Sequence, residues 1–129
     1  MHPILNYLAY SLSGLILLVL FFVIYTRFTP YKETELLKHG NRAVAYFLSG
    51  SLLGFSACIA ASIFTHLSFM PFLAWSAGAL ILQIVVYFLL NILFKDLPRH
   101  IEENNAAVGL LSGAAALCAG LINAASLYS

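Results

Sequence analysis

The chain has 129 residues, of which 62% are apolar and only 9% are charged, and its mean hydropathy is +0.94. A soluble domain of this size cannot bury so much apolar surface, so the composition excludes an ordinary soluble protein and favours a membrane protein. The formal net charge of +1 gives no field that would attract nucleic acid.

Four long apolar runs cover residues 4–25, 43–64, 72–94 and 106–127. Each has about 22 residues and would form a helix about 33 Å long, enough to cross a hydrocarbon core of ~30 Å. Backbone groups in lipid must be bonded within their own segment, so helices are the expected form. The first run lacks a basic start and is too long for a signal peptide, so we expect it to be retained.

The charged side chains fall in the two loops that follow runs one and three. All six Lys and Arg residues lie there, and the link between runs two and three has none. Lys and Arg resist translocation, so both loops should face the cytoplasm and both termini should lie outside.

Each charged loop also carries the signals of a short helix. In the first, Thr29 suits a cap, Pro30 the first helical position and Gly40 the stop; in the second, the helix should begin near Pro98. These helices could form a docking surface for a cytoplasmic partner, and a solvated, charge-balanced connector is the simpler alternative. The basic residues that would carry docking are Lys32, Lys38, Arg42 and Arg99.

The two halves of the chain resemble each other. The stretch "NRAVAYFLSG" begins at Asn41 and "NNAAVGLLSG" at Asn104, 63 positions later, while "LAYSLSGLIL" from Leu8 matches "LAWSAGALIL" from Leu73. This pattern indicates a duplicated helical hairpin, with one copy in residues 1–66 and the other in residues 67–129. Each copy has two spans, so both enter the membrane in the same direction. We therefore predict an all-α membrane protein of four transmembrane helices in two parallel hairpin repeats.

Small residues line one face of the second and fourth runs. Such faces let helix backbones approach closely, which is how helices associate in lipid. Runs two and four should therefore form the central pair, with the bulkier runs one and three towards lipid. The glycines predicted to pack there are Gly50, Gly54, Gly109, Gly113 and Gly120.

Asn41 and Asn104 stand just before runs two and four. The simpler interpretation is that each caps the helix that follows it. The alternative is a paired polar site, in which two helix N-termini offer N–H groups to an anion or a lipid phosphate with help from Arg42 and Arg99.

Residues that carry chemistry are sparse. None of the four runs contains Asp, Glu, Lys, Arg or His, which argues against proton-coupled carriers, pumps and voltage sensors. The two cysteines and four histidines lack ligand spacing, and no nucleophile–base arrangement or phosphate-binding loop is visible. We therefore predict no catalytic residue, metal or cofactor, and expect Gln83 and Asn123 to hydrogen-bond between helices.

Three stretches together resemble a known family: "FFVIYTRFTPYKETELLKHGNRAVAYFLSGSLLG", "LAWSAGALILQ" and "IEENNAAVGLLSGAAALCAGLINAA". They are similar to the YjfL-like bacterial inner-membrane proteins, built from domain of unknown function 350, and the match covers essentially the whole chain. The resemblance implies a four-span bacterial inner-membrane protein made of two hairpin domains, without an established catalytic residue. It also implies a link to membrane-stress systems with peripheral proteins of the phage-shock type.

Two classes of function agree with these observations. The first is a non-enzymatic, homo-oligomeric scaffold or interaction protein that presents its short cytoplasmic helices to a peripheral membrane-stress protein. The alternative is a small channel or transporter formed by a homo-oligomer, with the Gly, Ala and Ser faces lining the path.

Overall fold

The protein is described by a computed structural model covering residues 2–65 and 68–127, and these ranges contain helices and no strand. In chain order the helices are α1 (Pro3–Phe28), α2 (Glu33–Lys38), α3 (Arg42–Phe64), α4 (Phe69–Phe94), α5 (Leu97–Glu102) and α6 (Ala106–Ser126). The short helices α2 and α5 follow α1 and α4, in the two charged loops.

The four long helices have 21 to 26 residues and are long and apolar enough to cross a membrane. The predicted four-helix membrane fold is therefore confirmed. The helix ends differ from the predicted ones, since α1 continues to Phe28 and α4 begins at Phe69. The earlier start of α4 is compatible with Pro71, because a proline in the first helical turn removes an N–H that has no intrahelical partner.

Helices α3 and α6 are the closest pair in the bundle, and they run side by side in the same direction. Gly109 of α6 lies against Ala43 near the start of α3, Gly113 lies against Gly50, and Gly120 lies against Gly54. Contacts in this order along both helices occur only if the helices are parallel.

An aromatic cluster joins α1 and α4 to this central pair. The rings of Phe21 in α1 and Phe55 in α3 stack with centroids 4.4 Å apart, and Phe47 in α3 stacks on Tyr87 in α4 at 6.0 Å. Tyr25 contacts both Phe47 and Tyr87 edge-on. Stacked and edge-on aromatic pairs stabilise packing beyond the area that they bury.

The outward faces of α1 and α4 are apolar and exposed. Ile16 in α1 is 60% exposed and Ile92 in α4 is 74% exposed. Such faces suit acyl chains, which solvate aliphatic side chains as well as a protein core does.

The predicted boundary between the two hairpin repeats falls at residues 66 and 67, which lie outside the described residues. The division of the chain into two repeats stays a prediction.

Candidate functional site at the α2–α5 face

The five glycines predicted for helix packing all lie where α3 meets α6. A Cβ added at Gly50 would fall on the backbone of Gly113, and one added at Gly113 would fall on the carbonyl of Tyr46. At Gly54 an added Cβ would lie 2.7 Å from the Ala116 carbonyl oxygen and 2.9 Å from Nε2 of Gln83. Gly109 and Gly120 face equally close backbone, so these positions hold two helix backbones in direct contact.

Asn41 joins the start of α3 to α5. As the N-cap of α3, its Oδ1 accepts a hydrogen bond of 2.8 Å from the Val44 N–H. Its Nδ2 donates a 2.7 Å bond to the Ile101 carbonyl at the end of α5. One buried side chain therefore satisfies a free N–H of a membrane helix and ties that helix to a short helix 60 residues away in sequence.

Asn104 makes the reciprocal connection, but it does not cap its own helix. Its Oδ1 accepts the N–H groups of Arg42, at 2.8 Å, and Ala43, at 3.1 Å, so it caps α3. The N-cap of α6 is Asn105, whose Oδ1 accepts the Val108 N–H at 3.2 Å.

This arrangement corrects the interpretation that Asn104 caps the fourth membrane run. Asn104 has φ = 59°, and Gly40 occupies the matching position before Asn41 with φ = 80°. Both residues follow a short helix, where a left-handed residue closes the helical turn and Gly or Asn is favoured. The two successive asparagines hid this one-residue shift in the sequence.

The same contacts leave little room for the proposed anion site at the paired helix N-termini. The N–H groups of Arg42, Ala43, Val44 and Val108 are each bonded to an asparagine oxygen. An anion between the two helix N-termini would therefore find no free donor in the first turn of α3. The geometry therefore favours capping at both ends.

The α2–α5 face consists of the two short helices and the residues that flank them, 29–42 and 95–105. The four basic residues singled out in the sequence, Lys32, Lys38, Arg42 and Arg99, are all exposed there. Lys32 Nζ lies 3.9 Å from Glu35 Oε1, and Arg99 Nε lies 3.1 Å from Glu103 Oε1. No other ion pair is found within residues 2–65 and 68–127. Exposed pairs of this kind add little stability, so these side chains are free to exchange partners.

A buried acidic residue, Glu33, is the feature of this face that sequence reasoning missed. It is only 3% exposed, and its Oε2 lies 2.7 Å from Oγ1 of Thr29. Burial raises the pKa of the Glu33 carboxyl above its usual range, and the hydrogen bond from Thr29 opposes part of that shift. Burial likewise raises the pKa of the neighbouring Tyr31 phenol.

The local chain path explains why Glu33 is buried. Thr29 was expected to cap a helix beginning at Pro30, but Thr29 ends α1 and α2 begins only at Glu33. The chain bends between the two helices, with Thr29 and Lys32 in extended conformations, and this path leaves Tyr31 and Glu33 buried. No clear cue was present in the sequence, because Glu33 stands between Lys32 and Thr34, with Glu35 two residues later, as in an ordinary solvated loop.

Within the membrane-spanning part, polar side chains bond between helices as expected. Gln83 Nε2 in α4 donates to the Ala116 carbonyl of α6 at 3.1 Å, and Asn123 Nδ2 in α6 lies 3.1 Å from Sγ of Cys58 in α3. Both bonds fit the prediction that these two amides link helices.

Four buried polar atoms have no hydrogen-bond partner among the described residues. They are Oε1 of Gln83, the hydroxyl of Tyr87 and the hydroxyls of Ser76 and Ser112. Gln83 and Tyr87 are one turn apart on α4, and Ser112 is one turn from Ala116 on α6. Three of the four residues, Ser76, Gln83 and Tyr87, therefore lie on the buried face of α4.

No set of three His, Cys, Asp or Glu residues in the described ranges is arranged to hold a metal ion. The described part of the α2–α5 face thus offers hydrogen bonds and charge, without a metal centre.

Comparison with known proteins decides the family. The family described as Domain of Unknown Function (DUF350) matches residues 1–127. The chain belongs to this family. Among its relatives, the "UPF0719 inner membrane protein YjfL" of Escherichia coli strain K12 is 32% identical over 127 residues, covering 98% of this chain and 96% of that protein.

A relative from a second organism is also similar to this DUF350 protein. The "UPF0719 transmembrane protein YshE" of Bacillus subtilis strain 168 is 33% identical over 107 residues, which is 81% of this chain and 79% of that protein. No solved structure matches the chain. With its four long apolar helices, this member of the family is a helical membrane protein.

Proposed function

We propose that this protein is a non-enzymatic scaffold of the bacterial inner membrane that presents its α2–α5 face to a peripheral membrane-stress protein. The observation that carries the proposal is the pair of asparagine connections between the two halves of this face. Asn41 bonds to Ile101, and Asn104 bonds to the start of α3. These bonds hold α5 and the turn after it against the start of α3, which begins four residues after α2 ends.

Rigidity matters for recognition because a partner need not order the surface when it binds. The buried side chains Leu97 and Ile101 anchor α5, and Tyr31 anchors the segment before α2. Exposed side chains of both charges surround these anchors, for example Lys38, Arg99 and Glu103. Charges at the rim of an interface set partner choice and association rate more than affinity.

The face would be cytoplasmic, with both termini outside. The support is the placement of all six Lys and Arg residues in the two loops of this face. The relative YjfL is named as an inner membrane protein, and the same location is proposed here.

The scaffold would be a homo-oligomer that associates through α4. Gly78 lies on an exposed part of α4, and an added Cβ there would have no atom within 4 Å. Ala74, one turn earlier, is also exposed. Spaced small residues that face lipid allow a second helix to approach closely.

The docking role is tested by charge reversal in cells that carry a fluorescent peripheral protein of the phage-shock type. Lys38→Glu and Arg99→Glu should each reduce recruitment of this protein to the membrane. Lys95→Glu is the matched control, since Lys95 is exposed on the same face outside the predicted docking set. Equal recruitment by all variants, or none by the wild type, would refute docking at this face.

The second candidate function is a small channel or transporter formed by an oligomer. One observation favours it, namely the unpartnered polar atoms of Ser76, Gln83, Tyr87 and Ser112 in the interior of the bundle. The glycine faces do not favour it, because α3 and α6 press their glycines together and leave no lumen between them.

Experiments in nanodiscs and liposomes distinguish the two candidate functions. Native mass spectrometry in nanodiscs would give the number of copies, and ion flux would be measured with the same preparation in liposomes. A dimer or other small oligomer without flux agrees with the scaffold, whereas a monomer would refute its association through α4. A closed ring that conducts would replace the scaffold by the channel.

A further inference from the structure

A cavity of about 290 Å³ lies at the end of α1, beside the first turn of α2. Its lining includes Thr26, Thr29, Tyr31, Lys32 and Glu33. A water molecule takes about 30 Å³ of liquid volume, so the cavity could hold a small polar group. Because α1 crosses the membrane and ends here, the cavity lies at the level of the lipid headgroups.

Three hydrogen-bond acceptors converge on one hydroxyl group in this cavity. Oγ1 of Thr29 lies 2.7 Å from the Glu33 carboxylate and 3.0 Å from the Thr26 carbonyl oxygen. The Tyr31 carbonyl oxygen is a third acceptor, at 3.5 Å. A hydroxyl has one proton, so it can satisfy only one of these three acceptors at a time.

The end of α1 adds further acceptors near this cavity. The last carbonyls of a helix have no intrahelical donor, and Pro30, two residues after the helix, has no N–H to offer. Within the described residues, no backbone N–H beyond the helix bonds to the carbonyls of residues 25–28. The C-terminal end of a helix also carries partial negative charge, which favours a cation.

Glu33 lacks a positive partner of its own. The two ion pairs of the described residues join Lys32 to Glu35 and Arg99 to Glu103. A buried carboxylate is costly unless a cation or several donors compensate it. A group with several N–H donors and a positive charge would meet every requirement of this cavity.

We propose that this cavity binds the primary ammonium of a phosphoethanolamine lipid headgroup, with Glu33 as its counter-ion and Lys32 beside its phosphate. An ammonium has three N–H donors, which match the carboxylate and the carbonyls of Thr26 and Tyr31. Lys32 is exposed at the mouth of the cavity, where it can leave Glu35 for the phosphate. The inference is independent of the proposed scaffold role.

The experiment measures lipid retention by native mass spectrometry, with the full chain released from nanodiscs of defined composition. Phosphatidylethanolamine should be retained roughly tenfold more strongly than phosphatidylcholine, because a choline group has no N–H to donate. Glu33→Gln should remove this preference. Glu103→Gln is the matched control, since Glu103 is an exposed acidic residue directly after α5 and should leave the preference unchanged.

A second variant keeps the test decisive if Glu33→Gln fails to fold. Lys32 is exposed, so Lys32→Met should fold, and it should lower the retention of every phospholipid without changing the preference for ethanolamine over choline. Equal retention of the two lipids by the wild type would overturn the proposal, as would a preference that survives Glu33→Gln.

A further experiment distinguishes a lipid headgroup from a free, soluble phosphoethanolamine ligand. O-phosphoethanolamine is added to the protein in phosphatidylcholine nanodiscs, and its binding is followed by calorimetry. Weak or absent binding supports the lipid headgroup, which the bilayer holds at the cavity. Binding as tight as that of the lipid, lost in Glu33→Gln, would overturn the assignment to a lipid.

Discussion

Replacing Asn41 by alanine should destabilise the protein more than the same change at Asn105. Both residues cap a membrane helix through Oδ1, and loss of a cap costs about 1 kcal/mol. Asn41 also donates a 2.7 Å bond to the Ile101 carbonyl, which keeps a second donor in the N–H of Asn104. The additional loss is therefore one net hydrogen bond, about 1 kcal/mol, without a wholly orphaned carbonyl.

The expected losses of unfolding free energy are thus about 2 kcal/mol for Asn41→Ala and about 1 kcal/mol for Asn105→Ala. Both would be measured by reversible unfolding in mixed detergent micelles, followed by circular dichroism. The difference corresponds to about a fivefold change in the unfolding equilibrium, which this assay resolves. Equal losses for the two variants would refute the argument that the side chain of Asn41 ties α3 to α5.

Three further predictions concern the contact between α3 and α6, the buried Glu33 and the hydrogen bond of Gln83 within the membrane. Gly50→Ala should lower the free energy of unfolding by about 1–3 kcal/mol, because the added methyl group forces α3 away from α6. Gly78→Ala should be neutral or slightly stabilising in the same assay, because its methyl group meets no other atom. The pKa of Glu33 is raised in the folded state, so the folded protein binds this proton more tightly than the unfolded chain does. The free energy of unfolding should therefore fall as the pH rises from the usual carboxyl range through the raised pKa. Unfolding curves recorded over a pH series should show a weaker pH dependence of this free energy in Glu33→Gln. Gln83→Met should cost less than about 1 kcal/mol in that assay, since hydrogen bonds between membrane helices are individually weak and Oε1 of Gln83 is already unpartnered.

Each of these predictions has a contrary outcome. Tolerance of Gly50→Ala equal to that of Gly78→Ala would show that the two backbones can separate at little cost. An unchanged pH dependence in Glu33→Gln would mean that this carboxyl has the same proton affinity in the folded and unfolded states. A loss of several kcal/mol in Gln83→Met would show that the bond to Ala116 organises the bundle.

The glycine contact between α3 and α6 could be predicted from the sequence, because helical periodicity is a local property. The spacing of Gly50 and Gly54, and of Gly109 and Gly113, places each pair on one face of its helix. Two such faces in a membrane protein have few ways to be used other than against each other. The bonds of Gln83 and Asn123 followed from the same reasoning, because buried amides in lipid need partners on neighbouring helices.

The roles of Asn104 and Glu33 could not be predicted in this way. A pattern of letters cannot distinguish two adjacent asparagines, and which one caps α6 depended on the left-handed turn that ends α5. The burial of Glu33 depended on where α1 stopped, three residues beyond the end of the predicted span.

The sequence by itself determined that this chain forms four apolar helices, because hydropathy and helical spacing act within a segment of about 20 residues. Only the tertiary structure decided that the two charged loops are joined through Asn41 and Asn104, and that the buried Glu33 lines a cavity at the end of α1. Those features depend on groups some 60 residues apart in the chain, or on the length at which a helix ends, and neither is encoded in local composition.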